Sequence, residues 1–305
     1  MNWTKKGLII EPQKGLWWMQ SHAMLPTAEQ IQDDIFKIYF SGRDTQNRSQ
    51  IGFATVNVKD GSIELLEISS DPVFTIGERG CFDDNGVTPS CVIKNGDKLH
   101  LYYIGWNSGS TTIRLSLIAG LAISDDNGQT FRRNSRAPLL DRTDVEPFTI
   151  MTAPFVLKDD KCWRMWYVSC IGWIDKDNPK YNLKYAESED GIVWKRDGVV
   201  CIDLDDKETA LARPCVLKEN GRFKMWFSYK DPAIGYRIGY AESENGKDWK
   251  RLDEIAGINV SKNGWDSNMI EYSFVFDHDG YRYMLYNGNN YGAYGIGYAI
   301  IKLTS

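Results

Sequence analysis

Phe36-Lys-Ile-Tyr-Phe-Ser-Gly42 is an aromatic and β-branched run of strand length, and the chain writes it five times. Its relatives are Leu99-His-Leu-Tyr-Tyr-Ile-Gly105, Trp163-Arg-Met-Trp-Tyr-Val-Ser169, Phe223-Lys-Met-Trp-Phe-Ser-Tyr229 and Arg282-Tyr-Met-Leu-Tyr-Asn-Gly288. Upstream of the copies stand Pro26, Pro89, Pro154, Pro214 and, in the last, Ser273, at intervals of 63, 65, 60 and 59 residues. Downstream stand Ile51-Gly-Phe-Ala54, Ala119-Gly-Leu-Ala122, Leu183-Lys-Tyr-Ala186, Ile238-Gly-Tyr-Ala241 and Ile296-Gly-Tyr-Ala299. Three landmarks in fixed order define one unit of about sixty residues, repeated five times.

Turn signals lie between the landmarks, as in Lys94-Asn-Gly-Asp97, Lys158-Asp-Asp160, Glu219-Asn-Gly221 and His278-Asp-Gly280, so neighbouring strands are joined as hairpins. Nothing of useful length has helical apolar spacing. Three units carry a second turn: Ser124-Asp-Asp-Asn-Gly128 before Phe131, Ser188-Glu-Asp-Gly191 before Trp194, and Ser243-Glu-Asn-Gly246 before Trp249. A basic fourth strand follows, as in Trp194-Lys-Arg-Asp-Gly198. Four antiparallel strands repeated five times predict an all-β, five-bladed β-propeller in which residues 1–305 form one domain. The last unit ends soon after its third strand, and Trp3-Thr-Lys-Lys-Gly7 reads as the missing fourth, closing the ring.

Composition narrows the function. The net charge is −5 with Lys and Arg scattered, which argues against nucleic acid as the main partner. No run approaches the roughly 18 apolar residues of a membrane-spanning helix. Six cysteines without a CxxC pattern, several inside apolar runs, predict free thiols and a cytoplasmic location. Three histidines (His22, His100, His278) make a histidine-rich zinc site hard to build, so neither a metal nor another cofactor is expected.

The Ser124 to Phe131 turn resembles the Asp box of sialidases, which implies a structural turn and says nothing about catalysis. The chemistry of a propeller belongs on the segments that enter its inner strands. Here these are Trp17 to Ala23, Gly80 to Thr88, Glu146 to Ala153, Glu208 to Arg213 and Gly264 to Tyr272, and four of the five contribute a carboxylate. The whole chain resembles the five-bladed propeller superfamily of glycoside hydrolases and phosphorylases, the arabinanase, invertase and mannosyl-phosphorylase relatives. A closer resemblance, to a branch found with polysaccharide biosynthesis, rests on Phe82-Asp-Asp-Asn-Gly-Val-Thr-Pro89, Tyr103-Ile-Gly-Trp106, Ala212-Arg-Pro214, Gly264-Trp-Asp-Ser267 and Tyr286-Asn-Gly-Asn289.

That resemblance implies cleavage of a glycosidic bond by carboxyl groups at the channel mouth. One is protonated to assist the leaving oxygen while another stays ionised. Asp84, Glu146, Glu208 and Asp266 are the candidate catalytic set. Candidate substrate-binding residues are His22, Arg43, Asp44, Asp83, Trp106, Arg213, Trp265 and Glu271. The first inner strand departs from the relatives' pattern: Gln20, Ser21 and His22 stand where they carry an Asp, and the nearest acid is Asp44. Phosphorylases need only an acid, since phosphate attacks, and Arg43, Arg213 and His22 would hold the anion. Arg213, at the head of an apolar strand, is expected to face either Glu208 or Glu146, or an anionic ligand. Two functions follow: a glycoside hydrolase or phosphorylase acting on an oligosaccharide or glycoconjugate, with an anionic group or phosphate among its partners, or a non-catalytic propeller that binds a glycan or a biosynthetic partner through the same face.

Overall fold

The computed structural model describes residues 1–159 and 162–303; Asp160, in the turn expected after Lys158, lies outside them. A first strand, β1 (Thr4–Ile10), precedes the repeats. The first unit contains β2 (Ser21–Gln32), β3 (Ile35–Arg43), β4 (Ser49–Lys59) and β5 (Ser62–Ile68). The second contains β6 (Gly86–Asn95), β7 (Lys98–Ser108), β8 (Leu115–Ser124) and β9 (Arg132–Arg133). The third contains β10 (Ile150–Lys158), β11 (Trp163–Asp175), β12 (Asn178–Ser188) and β13 (Val200–Ile202). The fourth contains β14 (Ala210–Glu219), β15 (Arg222–Asp231), β16 (Gly235–Ser243) and β17 (Lys250–Arg251), and the last β18 (Glu271–His278), β19 (Tyr281–Asn287) and β20 (Ile296–Lys302). Among the described residues, helix is confined to a 3-10 turn at Asp253–Ile255 and a short turn at Asn289–Gly292.

Within each unit consecutive strands pair antiparallel. The last unit draws its fourth strand from the other end of the chain: β1 pairs antiparallel with β20, with Lys5 opposite Ala299 and Ile10 opposite Ile296. It starts one residue later than the expected Trp3 and runs on to Ile10. The first strand of one unit touches the third strand of the unit before it in parallel, at Ser49 and Gly86, Leu117 and Ile150, and Tyr181 and Ala210. The second strands are buried on both faces, which explains their continuous apolar reading.

The turns that run from Ser124, Ser188 and Ser243 to a glycine do two jobs. Ser124 Oγ accepts the Gly128 N–H at 2.8 Å and donates to Asp126 at 2.6 Å, which satisfies the tight turn. The turn glycine then offers its carbonyl to the preceding unit: Tyr39 donates to Gly128 (3.2 Å), Tyr102 to Gly191 (2.8 Å) and Trp166 to Gly246 (2.7 Å). Gly128 has φ +72°, and a Cβ there would fall 1.9 Å from the Tyr39 hydroxyl, so only glycine fits. The first and last units also meet directly. His278 lies 2.9 Å from Asp34, and the Tyr283 and Tyr298 hydroxyls accept the Gly61 and Ile63 amides.

Candidate functional site

All five first strands break register where their Pro or Ser landmark begins. At four of these bulges the preceding residue is left-handed: Leu25 (φ 52°), Ala153 (φ 48°), Arg213 (φ 51°) and Tyr272 (φ 57°). None is a glycine, and three precede proline, which itself disfavours helical geometry there. Such positions cost about 1–3 kcal/mol each and persist where surrounding structure holds them for a purpose. All four line one cavity of about 540 Å³, joined by Thr88 at the corresponding place in the second unit.

The cavity wall mixes aromatic and cationic groups. Trp106, Tyr181, Tyr236, Tyr272 and Tyr291 form its aromatic part, and Arg43, Arg114, Arg213 and Lys230 its cationic part. The one acidic wall residue among those described, Asp177, is held by Arg114 at 2.5 Å. Arg213 is 1% exposed and ties the channel together, its guanidinium donating to the carbonyls of Pro89 (3.1 Å) and Pro26 (2.5 Å). It pairs with neither Glu208 nor Glu146, the two carboxylates considered for it. Burial pushes its pKa down to about 10, and the Arg43 guanidinium is lowered for the same reason. Trp106 donates its indole N–H to Ser49 at 2.9 Å and offers its ring to the cavity.

The four expected catalytic acids are not assembled around this cavity. Three of them, Glu146, Glu208 and Asp266, have a repeated duty elsewhere that Asp83 shares. In four units an acid on the entering segment meets a cation on the fourth strand or just before it: Asp83 with Arg133 (2.8 Å), Glu146 with Arg196 (2.9 Å), Glu208 with Arg251, and Asp266 with Lys5 (2.6 Å). In three of them a second-strand tyrosine adds a hydrogen bond of 3.0 Å: Tyr103 to Asp83, Tyr167 to Glu146 and Tyr286 to Asp266. The register makes the cations equivalent, since Arg133, Arg251 and Lys5 lie opposite Ala122, Ala241 and Ala299. In the first unit Ile68 takes that place opposite Ala54, Phe40 replaces the tyrosine, and the buried Met19 replaces the acid, following Trp18, which packs on Phe40 at 5.5 Å as Trp265 packs on Tyr286 and Phe82 on Tyr103. The acid missing from the first entering segment is thus one of three matched apolar replacements. Asp84 is half-buried, closes its loop by accepting the Gly80 amide at 2.8 Å, and does not line the cavity.

The candidate binding residues divide. Arg43, Trp106 and Arg213 line the cavity. Asp83 belongs to the ion pairs just described. Asp44 closes its own turn by accepting from the Gln46 and Arg48 amides and from the Arg48 guanidinium at 2.9 Å. Trp265 stacks on Tyr286 at 5.0 Å as packing. His22, itself left-handed at φ 63°, has Nδ1 3.0 Å from Ser21 Oγ, and burial together with Arg43 lowers its pKa to about 4. Glu271 is fully buried with neither oxygen partnered among the described residues, and burial raises its pKa well above the carboxylate range against the pull of Lys230. It stands beside Tyr272 and within electrostatic reach of Tyr181 and Tyr236. Sequence reasoning missed Tyr181, Lys230, Tyr236, Tyr272 and Tyr291. Aligning the units would have found Tyr272, which precedes Ser273 as Arg213 precedes Pro214.

No family model matches the chain. Among solved structures it resembles BT0996 in a complex with RGII, with TM-score 0.75 and 19% identity over 99% of this chain and 92% of that one. A thermostable family-43 glycoside hydrolase matches with TM-score 0.68 and 17% identity, covering 93% and 90%. The endo-arabinase of Bacteroides thetaiotaomicron VPI-5482 matches with TM-score 0.64 and 13% identity, covering 98% and 99%. The fold is therefore the all-β, β-propeller-like fold of these hydrolases. In sequence the chain is 42% identical over 304 residues to uncharacterized protein MT1551 of Mycobacterium tuberculosis (strain CDC 1551 / Oshkosh), covering 99% of this chain and 100% of that protein. Uncharacterized protein Rv1502 of strain ATCC 25618 / H37Rv matches to the same extent. The bulged inner strands and the cavity they surround are thus carried by a chain that belongs to the family of these mycobacterial proteins.

Proposed function

We propose that residues 1–305 form one five-bladed β-propeller closed by β1, and that it is a carbohydrate-active enzyme cleaving a glycosidic bond in an oligosaccharide or glycoconjugate at the cavity. The observation that carries this reading is the convergence of five first strands, four of them strained, on a cavity walled by aromatic rings and cations. Trp106 and the wall tyrosines offer faces on which a sugar stacks. Glu271, kept protonated by burial, is the acid we assign as proton source; it stands behind the wall residue Tyr272 and does not itself line the cavity, so this role requires Tyr272 to move aside for the leaving oxygen. Hydrolysis needs a second carboxyl as base or nucleophile. Among the described residues the wall's only acid, Asp177, is engaged by Arg114, which favours phosphorolysis: phosphate oxygen attacks the anomeric carbon, the glycosidic C–O bond breaks, and the leaving oxygen takes the proton. We place the protein in the cytoplasm, a reading supported by the buried thiols of Cys91, Cys170, Cys201 and Cys215; among the described residues no helix is long and apolar enough to cross a membrane.

A second reading, a non-catalytic glycan- or partner-binding propeller in polysaccharide biosynthesis, is favoured by the ion pairs that occupy Glu146, Glu208 and Asp266. Turnover of a glycoside panel with and without inorganic phosphate separates the two. Phosphate-dependent cleavage that falls on the order of 10²-fold in Glu271→Gln supports the enzyme. Glycan binding without turnover under any condition replaces it with the binding module.

A further inference from the structure

Three cations of the cavity wall have no counter-charge. Arg43, Arg213 and Lys230 make no ion pair with any described carboxylate, whereas the fourth wall cation, Arg114, is neutralised by Asp177. Glu271, the carboxyl within electrostatic reach of Lys230, is held in its protonated form by burial and supplies no negative charge. The guanidinium Nε atoms of Arg43 and Arg213 are both buried and without a hydrogen-bond partner among the described residues. Arg213 spends its other donors on two backbone carbonyls, which leaves its full charge inside the protein. Buried donors are normally satisfied and buried charges normally paired. The three groups also gather around one pair of packed rings. Arg43 and Arg213 are in electrostatic reach of Tyr272, and Lys230 lies 5.8 Å from the ring of Tyr236, which packs 5.9 Å from Tyr272.

We propose that the cavity takes a ligand bearing an anionic oxygen group, a carboxylate or a phosphate, whose charge completes the set formed by Arg43, Arg213 and Lys230. This rests on the carbohydrate reading above and adds the charge of what is bound. A guanidinium offers paired donors that match such a group, and the desolvated wall strengthens each contact. The group belongs either to the saccharide, as a uronate or sugar phosphate, or to free phosphate.

Titration calorimetry at low salt tests this with matched probes: trigalacturonate against the neutral galactotriose, glucose 6-phosphate against glucose, and inorganic phosphate alone. An acidic probe is expected to bind at least about tenfold more tightly than its neutral match. Arg43→Met and Lys230→Met should each weaken it roughly ten- to hundredfold, the loss of one charged hydrogen bond, and so narrow the preference over the neutral match by that factor. The two sites lie on different strands and spare Arg213, so misfolding of one variant leaves the other to decide. Phosphate binding lost in the same variants assigns the group to free phosphate; acidic-saccharide binding without phosphate binding assigns it to the sugar. Equal affinity for acidic and neutral members, no binding of any anionic probe, or full affinity in both variants overturns the proposal. Cleavage of neutral glycosides without anion binding would remove this inference and keep the enzyme, whereas anion binding without turnover of any glycoside would do the reverse.

Discussion

Glu146→Gln separates a buried ion pair from a catalytic acid. The wild-type carboxylate is 1% exposed and accepts from Tyr167 (3.0 Å), Ser169 (2.7 Å) and Arg196 (2.9 Å), with Lys184 at 3.5 Å. Gln keeps the shape and one acceptor, so the hydroxyl contacts largely survive. The negative charge does not, and Arg196 and Lys184, whose side chains are only 10% and 8% exposed, then face one another uncompensated. Breaking a buried pair from one side costs about 3–5 kcal/mol, a large share of the roughly 5–15 kcal/mol that holds a domain together. At about 2 °C per kcal/mol for a large domain, the melting temperature should fall by roughly 6–10 °C. Arg196→Met should cost less, because Lys184 remains to neutralise Glu146. Calorimetric melting and urea titration read both changes. Turnover or glycan affinity, measured per folded molecule well below the melting point, should stay at the wild-type value. A variant that melts within a degree of wild type yet loses activity on the order of 10²-fold would refute this reasoning and return Glu146 to the chemistry.

Three further outcomes follow from the same geometry. Asp190→Ala removes an acceptor of the Ile192 and Val193 amides, both at 2.8 Å, and should lower stability by about 1 kcal/mol with saccharide affinity unchanged; altered affinity at unchanged stability would contradict it. His22, held at about 4 against an ordinary 6.5 by burial and then by Arg43, takes up its proton in the unfolded chain first, so acidification from about pH 6.5 towards 4 should erode stability; Arg43→Met should move the His22 proton resonances' midpoint upward and flatten that erosion. Glu271 has the opposite sign: its folded pKa is raised, so its contribution is intact below about pH 4.5 and is lost as pH rises, and Glu271→Gln should melt higher than wild type at pH 8 while matching it at pH 4.

The repeat made the unit, its strands and their order legible, because aromatic runs, turns and landmark residues are local patterns. Ile68, Arg133, Arg251 and Lys5 occupy one structural place, Arg196 follows the Lys195 that bridges Glu187 in the third unit, and Phe40 stands where three other units have tyrosine. That covariation would have marked the entering acids as partners of the fourth strand. Chemical type alone suggested catalysis, since a carboxylate on an entering segment looks the same whether it faces a channel or a neighbouring strand. The bulges decided which way each side chain points, and a bulge of one residue reverses the face on which a strand presents its side chains. Nothing in the sequence around Glu271 shows that burial leaves both its oxygens without a partner among the described residues. The tyrosine wall comes from β12, β16, β18 and the turn after β19, places brought together only by the fold.

The central claim is that the cavity at the bulged ends of the five first strands is the carbohydrate site, and a crystal structure of the protein soaked with an acidic oligosaccharide such as trigalacturonate tests it most directly. The account predicts a sugar ring against Trp106 or the wall tyrosines, with its carboxylate within hydrogen-bond distance of Arg43 or Lys230. A saccharide bound instead against Glu146, Glu208 and Asp266, with their ion pairs to Arg196, Arg251 and Lys5 opened, would contradict it.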